Sequence, residues 1–304
     1  MIRLERMLRR PLSLVLIIFV SGIVLIMAPL GQAQFNDERR RSDLSPITLP
    51  GGSLIEFKSF DSRSTGMPER YSVFLPPSFS KEPSRTYPVI YFLHGLNNDE
   101  TSWTVERYGH LQTSMEQMMV SGRLPEFIMV HPRGDNSFYC NYIDGTKRYE
   151  DLLTQELISY MEANYRAKKG RENRSIAGTS MGGYGALKIA MKYPDRYAAA
   201  VGQSPIIFPG SNPLALSEEV KSSRFYSFFL GMLTPIFGDP IRQDVWDANN
   251  PLVLAKSRKL DGLRIYFDYG TDDRYIPMIH LDEGCRALDR ILTEEVTVLD
   301  MGAS

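Results

Sequence analysis

Gly178-Thr179-Ser180-Met181-Gly182-Gly183-Tyr184-Gly185 decides how this chain folds, because it joins a G-x-S-x-G turn to the local sequence in which such a turn works. A strand that turns sharply into a helix presents its serine at the top of a sheet, and glycines flank the serine where side chains would collide. Before the turn, Asn173 to Ala177 (NRSIA) has the length of a buried strand. After it, Tyr184 to Met191 (YGALKIAM) carries apolar residues at helical spacing. Ser180 is thereby the candidate nucleophile. A phosphate-binding turn is the competing reading, but no Lys follows the glycines as in a P-loop and no G-x-G-x-x-G is present.

Outward from the turn, apolar runs alternate with helical patterns. Val89 to Leu93 (VIYFL) and Phe127 to Val130 are continuous apolar runs of strand length, as in strands covered on both faces. Ala198 to Val201 and Leu263 to Phe267 supply further strands, and Val296 to Leu299 a last one. Val105 to Met119, Tyr149 to Tyr165 and Ile279 to Leu292 read as helices. Leu54 to Phe60 and Arg70 to Leu75 mix polar and apolar residues as half-buried antiparallel strands do, and Pro76-Pro77 stops the second. The expected fold is α/β, a mostly parallel sheet with helices on both faces. Ser211 to Phe237 interrupts the alternation with the apolar RFYSFFLGMLTPIF, which either packs on the core or forms a lid beside the site.

With 304 residues, 43% of them hydrophobic, the chain can bury a full core, and one large domain is expected over 53–304. A formal net charge of -1, with no basic run in the body, excludes nucleic acid as the expected partner. Arg3, Arg6, Arg9 and Arg10 precede the apolar Leu12 to Met27, and Gly31-Gln32-Ala33 offers a cleavage site. Residues 1–33 therefore read as an export signal, or as an uncleaved membrane anchor, and 34–52 as a flexible lead-in. The body is expected outside the cytoplasm, periplasmic or secreted. Cys140 and Cys285 are the only cysteines, and their positions leave open whether they pair. Four His and two Cys without ligand spacing argue against a metal site.

An acyl-transfer serine needs oxyanion donors, an acid and a base. His94-Gly95-Leu96 follows the strand Val89 to Leu93, at the sheet end where α/β folds bind ligands, so the backbone N–H groups of Leu96 and Met181 are the candidate donors. His94 itself reads as fixing that loop at the binding surface. Leu263 to Phe267 runs into Asp268-Tyr269-Gly270-Thr271-Asp272-Asp273, which places either Asp272 or Asp273 where a triad acid belongs and leaves Asp268 as a turn residue.

These motifs resemble those of the esterase family of α/β-hydrolases that includes esterase D (S-formylglutathione hydrolase), the feruloyl esterases and the antigen 85 mycolyltransferases. The resemblance runs from about Ser53 to the end. It rests on His94-Gly95-Leu96 with Asp99 to Trp103, on Asn136-Ser137-Phe138-Tyr139, on Arg171 to Leu187 and on Gly270-Thr271-Asp272-Asp273. It implies that Asp273 is the acid, that Tyr139 lines the substrate cleft, and that a small-molecule or polysaccharide-linked ester is the substrate, with no cofactor. The family's catalytic histidine follows the strand that here is Val296 to Leu299. This chain reads Asp300-Met301-Gly302-Ala303-Ser304 there, and its histidines are His94, His110, His131 and His280. The expectation is a hydrolase fold that stops short of its base and last helix. The sequence is then a fragment or frameshifted form of an active esterase, an inactive carbohydrate- or lipid-binding protein, or an enzyme with another base. An acyltransferase would share the same acyl-enzyme.

Overall fold

The computed structural model describes residues 44–104, 111–210, 221–222, 224–273 and 275–300, with the side chains of 225 and 295–300 left aside. Residues 1–33, read above as an export signal or anchor, and His110 lie outside the described residues. Among the described residues eight strands form one sheet: β1 (Ile47–Thr48), β2 (Leu54–Asp61), β3 (Pro68–Leu75), β4 (Val89–Leu93), β5 (Ile128–Pro132), β6 (Arg174–Thr179), β7 (Ala199–Gln203) and β8 (Arg264–Asp268). Their order is β1-β2-β3-β5-β4-β6-β7-β8. The pairs β1–β2, β2–β3 and β3–β5 are antiparallel, and β5, β4, β6, β7 and β8 run parallel. The expected mixed sheet with a parallel centre is what the chain forms.

The period-two geometry of a strand explains why the central runs are apolar throughout. Val89, Tyr91 and Leu93 of β4 enter one core with Val73, Ile128, Val130 and Ile176, while Ile90 and Phe92 enter the other with Phe74, Met129 and Ala177. Helix α1 (Leu111–Val120) covers the second face through Leu111, Met115 and Met119, one helical stripe. Its Glu116 is buried and accepts the N–H groups of Gly51 and Ser53 at 2.8 Å each. The folded body thus begins before Ser53: β1 lies inside the expected lead-in and pairs with β2.

The first face is covered by α2 (Tyr149–Asp151), which passes through a π-helical turn at Leu152–Glu156 into α3 (Leu157–Asn164), and by α4 (Met181–Lys192). Helix α5 (Arg224–Phe237) carries most of the apolar insertion. It buries Phe229, Leu233, Ile236 and Phe237, at helical spacing, and Phe229 meets Phe138 and Phe208 with ring centroids 6.1 Å and 5.5 Å apart. The described part of the insertion therefore packs on the core, while Phe228 stays 47% exposed. Short helices α6 (Gln243–Asp247), α7 (Pro251–Ser257) and α8 (Ile276–Ile279) precede α9 (Leu281–Asp300).

Helix α9 corrects one expectation. Val296 to Leu299 is helix, not a last strand, because no Gly or Pro stands between Leu288 and Val296 to end the helix begun at Leu281. Leu281, Cys285 and Leu288 form its buried stripe. No helix among the described residues is long and apolar enough to cross a membrane.

Candidate active site

Ser180 is the single residue between β6 and α4, with φ 58° and ψ −117°. A non-glycine residue in that region costs on the order of 1–3 kcal/mol, so the surroundings must impose it. They do so through the backbone: the Ser180 N–H donates to Gln203 O at 2.8 Å, and its carbonyl accepts from Tyr184 at 3.0 Å and Ile206 at 3.3 Å. The flanking glycines are required sterically. A Cβ on Gly178 would stand 2.3 Å from Gly182 O, and one on Gly182 2.1 Å from Leu93 O, so α4 sits directly on the end of β4. The result is a half-buried hydroxyl at the carboxyl edge of the sheet, with no hydrogen bond to its Oγ among the described residues.

The loop after β4 approaches that hydroxyl closely, since a Cβ at Gly95 would lie 3.4 Å from Ser180 Cβ. The backbone N–H groups of Leu96 and Met181 donate to no acceptor among the described residues, which leaves both free for a ligand oxygen. Beyond Leu96, a reciprocal side-chain and backbone pair pins the loop. Asn97 N–H donates to Asn136 Oδ1 at 2.8 Å, and Asn136 Nδ2 to Asn97 Oδ1 at 2.9 Å.

His94 and Tyr139 are brought to the site from beneath it. His94 is 1% exposed, and its Nε2 accepts the Gly134 N–H at 3.0 Å. Its Nδ1 therefore carries the proton and donates to Gly95 O at 2.8 Å. Burial holds the imidazole below its ordinary pKa, so it is neutral. Tyr139 is 0% exposed and donates its hydroxyl to His94 O at 3.1 Å. Its ring passes between two glycines; a Cβ at Gly134 or Gly185 would come within 2.2 Å or 2.6 Å of it. His94 fixes the loop, as its place after β4 suggests, whereas the Tyr139 ring, expected to line the substrate cleft, is enclosed; together they tie the loops after β4 and β5.

Asp273 lies in the loop beyond β8, on the same sheet edge as Ser180, because β6, β7 and β8 are parallel neighbours in register Thr179↔Gln203↔Asp268. It is half-buried, and Oδ1 accepts the Tyr275 N–H at 2.9 Å, whereas Asp272 is exposed. Asp268 ends β8 and accepts the Ser204 N–H through its carbonyl at 2.7 Å. Close beneath is Cys285, whose thiol is pushed up to about 12 by burial and by the Asp282, Asp273 and Asp268 charges. It and Cys140 are buried and unpaired.

No described histidine hydrogen-bonds to Ser180 or Asp273. His131 is buried against Phe92 and Trp103, ring centroids 5.7 Å and 6.3 Å away, and burial lowers its pKa to about 3. His280 is exposed at the joint between α8 and α9, its Nδ1 3.5 Å from Glu283. Among the described residues no group of three or more His, Cys, Asp and Glu could hold a metal ion.

Sequence reasoning missed one buried cluster. Lys188 of α4, 0% exposed, donates to Glu150 Oε2 at 2.7 Å and to Tyr139 O at 2.6 Å. The only signal was a lysine inside the otherwise apolar YGALKIAM.

The chain is 32% identical over 149 residues to an endo-1,4-beta-xylanase/feruloyl esterase of Xylanibacter ruminicola, covering 47% of this chain and 20% of that protein. It is 31% identical to esterase Rv1288 of Mycobacterium tuberculosis, covering 48% and 31%. The chain thus spans under a third of the length of these relatives. An S-formylglutathione hydrolase of Mus musculus is 28% identical, with 68% and 71% covered. Among solved structures, a ferulic acid esterase superposes with a TM-score of 0.61 at 25% identity, covering 79% of this chain and 86% of that one. A fluorophosphonate-binding serine hydrolase of Staphylococcus aureus shares the fold, with a TM-score of 0.55 at 23% identity and 79% and 98% covered. The family profile described as "Putative esterase" matches residues 62–292, and with this fold and nucleophile turn the chain belongs to that family, the α/β-hydrolase esterases.

Proposed function

We propose that the chain is a serine carboxylic ester hydrolase working through an acyl-enzyme. Ser180 Oγ attacks the ester carbonyl, the Leu96 and Met181 N–H groups receive the oxyanion, and Asp273 orients an imidazole. The observation that carries this reading is the strained Ser180 turn beside two N–H groups with no acceptor among the described residues. The substrate is a small-molecule or polysaccharide-linked ester, met outside the cytoplasm after the N-terminal segment directs export. The feruloyl esterase relatives and the arginine-flanked apolar Leu12 to Met27 support those two points. No metal or organic cofactor takes part in this scheme.

Among the described residues no histidine hydrogen-bonds to Ser180, so the base is not assigned among them. A second reading is an inactive carbohydrate- or lipid-binding protein of the same fold. The two separate on exposure to 4-nitrophenyl acetate. A nitrophenol burst that Ser180→Ala abolishes supports the hydrolase, and no burst supports the binding protein. Even without a base, oxyanion stabilisation and binding leave a serine hydrolase site roughly 10³–10⁴-fold above water. Acyl transfer to a sugar alcohol in the same assay would convert the reading to an acyltransferase.

A further inference from the structure

The oxyanion donors come from two separate chain segments, Met181 from the start of α4 and Leu96 from the loop after β4, so their spacing depends on whatever ties α4 to that loop. We infer that Lys188 is a positioning residue for this loop, acting through Tyr139. The inference rests on the esterase reading above.

A fully buried ammonium is costly unless its protons are all placed. Those of Lys188 are placed on Tyr139 O at 2.6 Å, Glu150 Oε2 at 2.7 Å and Cys140 Sγ at 3.4 Å. Burial works against its charge, but the Cys140 sulfur and the Glu150 carboxylate outweigh that and keep it protonated. Glu150 is itself secured by Lys192 at 2.8 Å and by the Tyr193 hydroxyl at 2.7 Å. Burial raises its pKa, yet the Lys188 and Lys192 charges dominate and hold it at about 2. The ion pair is therefore a fixed post, and what hangs from it is the Tyr139 carbonyl.

Tyr139 needs holding. It and Phe138 have consecutive positive φ values of 53° and 51°, a conformation that L residues resist. Its hydroxyl then reaches His94 O at 3.1 Å, two residues before Leu96. Met181, Gly185 and Lys188 lie along one stripe of α4, and Gly185 is the gap through which the Tyr139 ring passes. One rigid helix thus presents the Met181 N–H at its start and, two turns on, fixes through Tyr139 the loop that presents the Leu96 N–H. Lys188 thus holds the carbonyl of a tyrosine whose hydroxyl bonds the oxyanion loop.

The test is a double-mutant cycle of Lys188→Met and Tyr139→Phe, with Met161→Ala, a fully buried residue of α3, as a control for general destabilisation. Amide hydrogen exchange of 94–97 is expected to speed up about tenfold in each single variant and no further in the double, while Met161→Ala leaves it unchanged. Acylation by 4-nitrophenyl acetate is expected to lose about tenfold in kcat with KM within about twofold, as for a displaced oxyanion donor. Loop exchange that changes no more than in Met161→Ala, or effects that add in the double variant, would overturn the inference. Absence of acylation in the wild type would instead refute the esterase reading, and hydrogen exchange would still decide this one. If Lys188→Met does not fold, Lys188→Met/Glu150→Gln, which removes both charges, takes its place in the cycle.

Discussion

Replacing Gly182 by alanine tests whether the contact between α4 and β4 is as tight as the nucleophile turn requires. The new Cβ would meet three backbone atoms: Leu93 O at 2.1 Å, Leu93 C at 2.5 Å and His94 O at 2.7 Å. None belongs to a side chain that can rotate away, so α4 must lift from β4 by about 1 Å to reach ordinary contact. Overpacking of this kind costs about 1–3 kcal/mol when side chains absorb it, and a backbone clash belongs at or above the top of that range. At about 2–4 °C per kcal/mol for a chain of this size, the melting midpoint falls by roughly 6–12 °C. Gly231→Ala, in the exposed middle of α5 with no heavy atom within 4 Å of the new Cβ, is the matched control. It removes a helix-interior glycine and raises stability by about 0.5–1 kcal/mol, or roughly 1–4 °C. Thermal unfolding followed by circular dichroism reads both. A Gly182→Ala protein melting within about 1 °C of wild type would refute the steric argument.

Glu69 is buried, and burial, only partly offset by Thr65 and Arg133, raises its carboxyl from the ordinary 4.5 to about 7. A folded pKa above the unfolded one contributes stability that is complete below pH 4.5 and lost as pH rises through about 7. Glu69→Gln should therefore match wild type at pH 4.5 and exceed it by up to about 3 kcal/mol at pH 8 in urea unfolding. An equal difference at both pH values would refute the assignment. Glu150→Ala strands the buried Lys188 and should lose about 3–5 kcal/mol, whereas Asp244→Ala, which breaks the exposed Arg242–Asp244 pair, should melt with wild type. Both thiols are buried and unpaired, so a thiol-specific chromogenic disulfide at pH 8 should read none in the native protein and two after denaturation. A native reading of two would place Cys140 and Cys285 at the surface.

Local signals carried most of the fold. VIYFL could be read as a two-sided strand because its alternate residues enter two cores, and GTSMGGYG as an elbow because only glycines fit against Leu93 and Gly182. The misreadings have local causes as well. Val296 to Leu299 has the β-branched composition of a strand, yet the good helix formers Leu292, Glu294 and Glu295 before it let α9 run on. The enclosure of Tyr139 was invisible because it depends on Gly134 and on Gly185, 46 residues away, which leave the gap its ring fills. Lys188 escaped for a similar reason: nothing within the helix tells a lysine on the buried stripe from a solvated one until Glu150 is seen to meet it.

The central claim is that Ser180 is an accessible nucleophile served by the Leu96 and Met181 N–H groups. Treating the purified chain with a fluorophosphonate and mapping the adduct by peptide mass spectrometry tests it most directly. The account predicts one adduct, on the peptide containing Ser180, absent from Ser180→Ala and slowed in Gly182→Ala. No adduct after prolonged exposure, or an adduct on another residue that persists in Ser180→Ala, would contradict it.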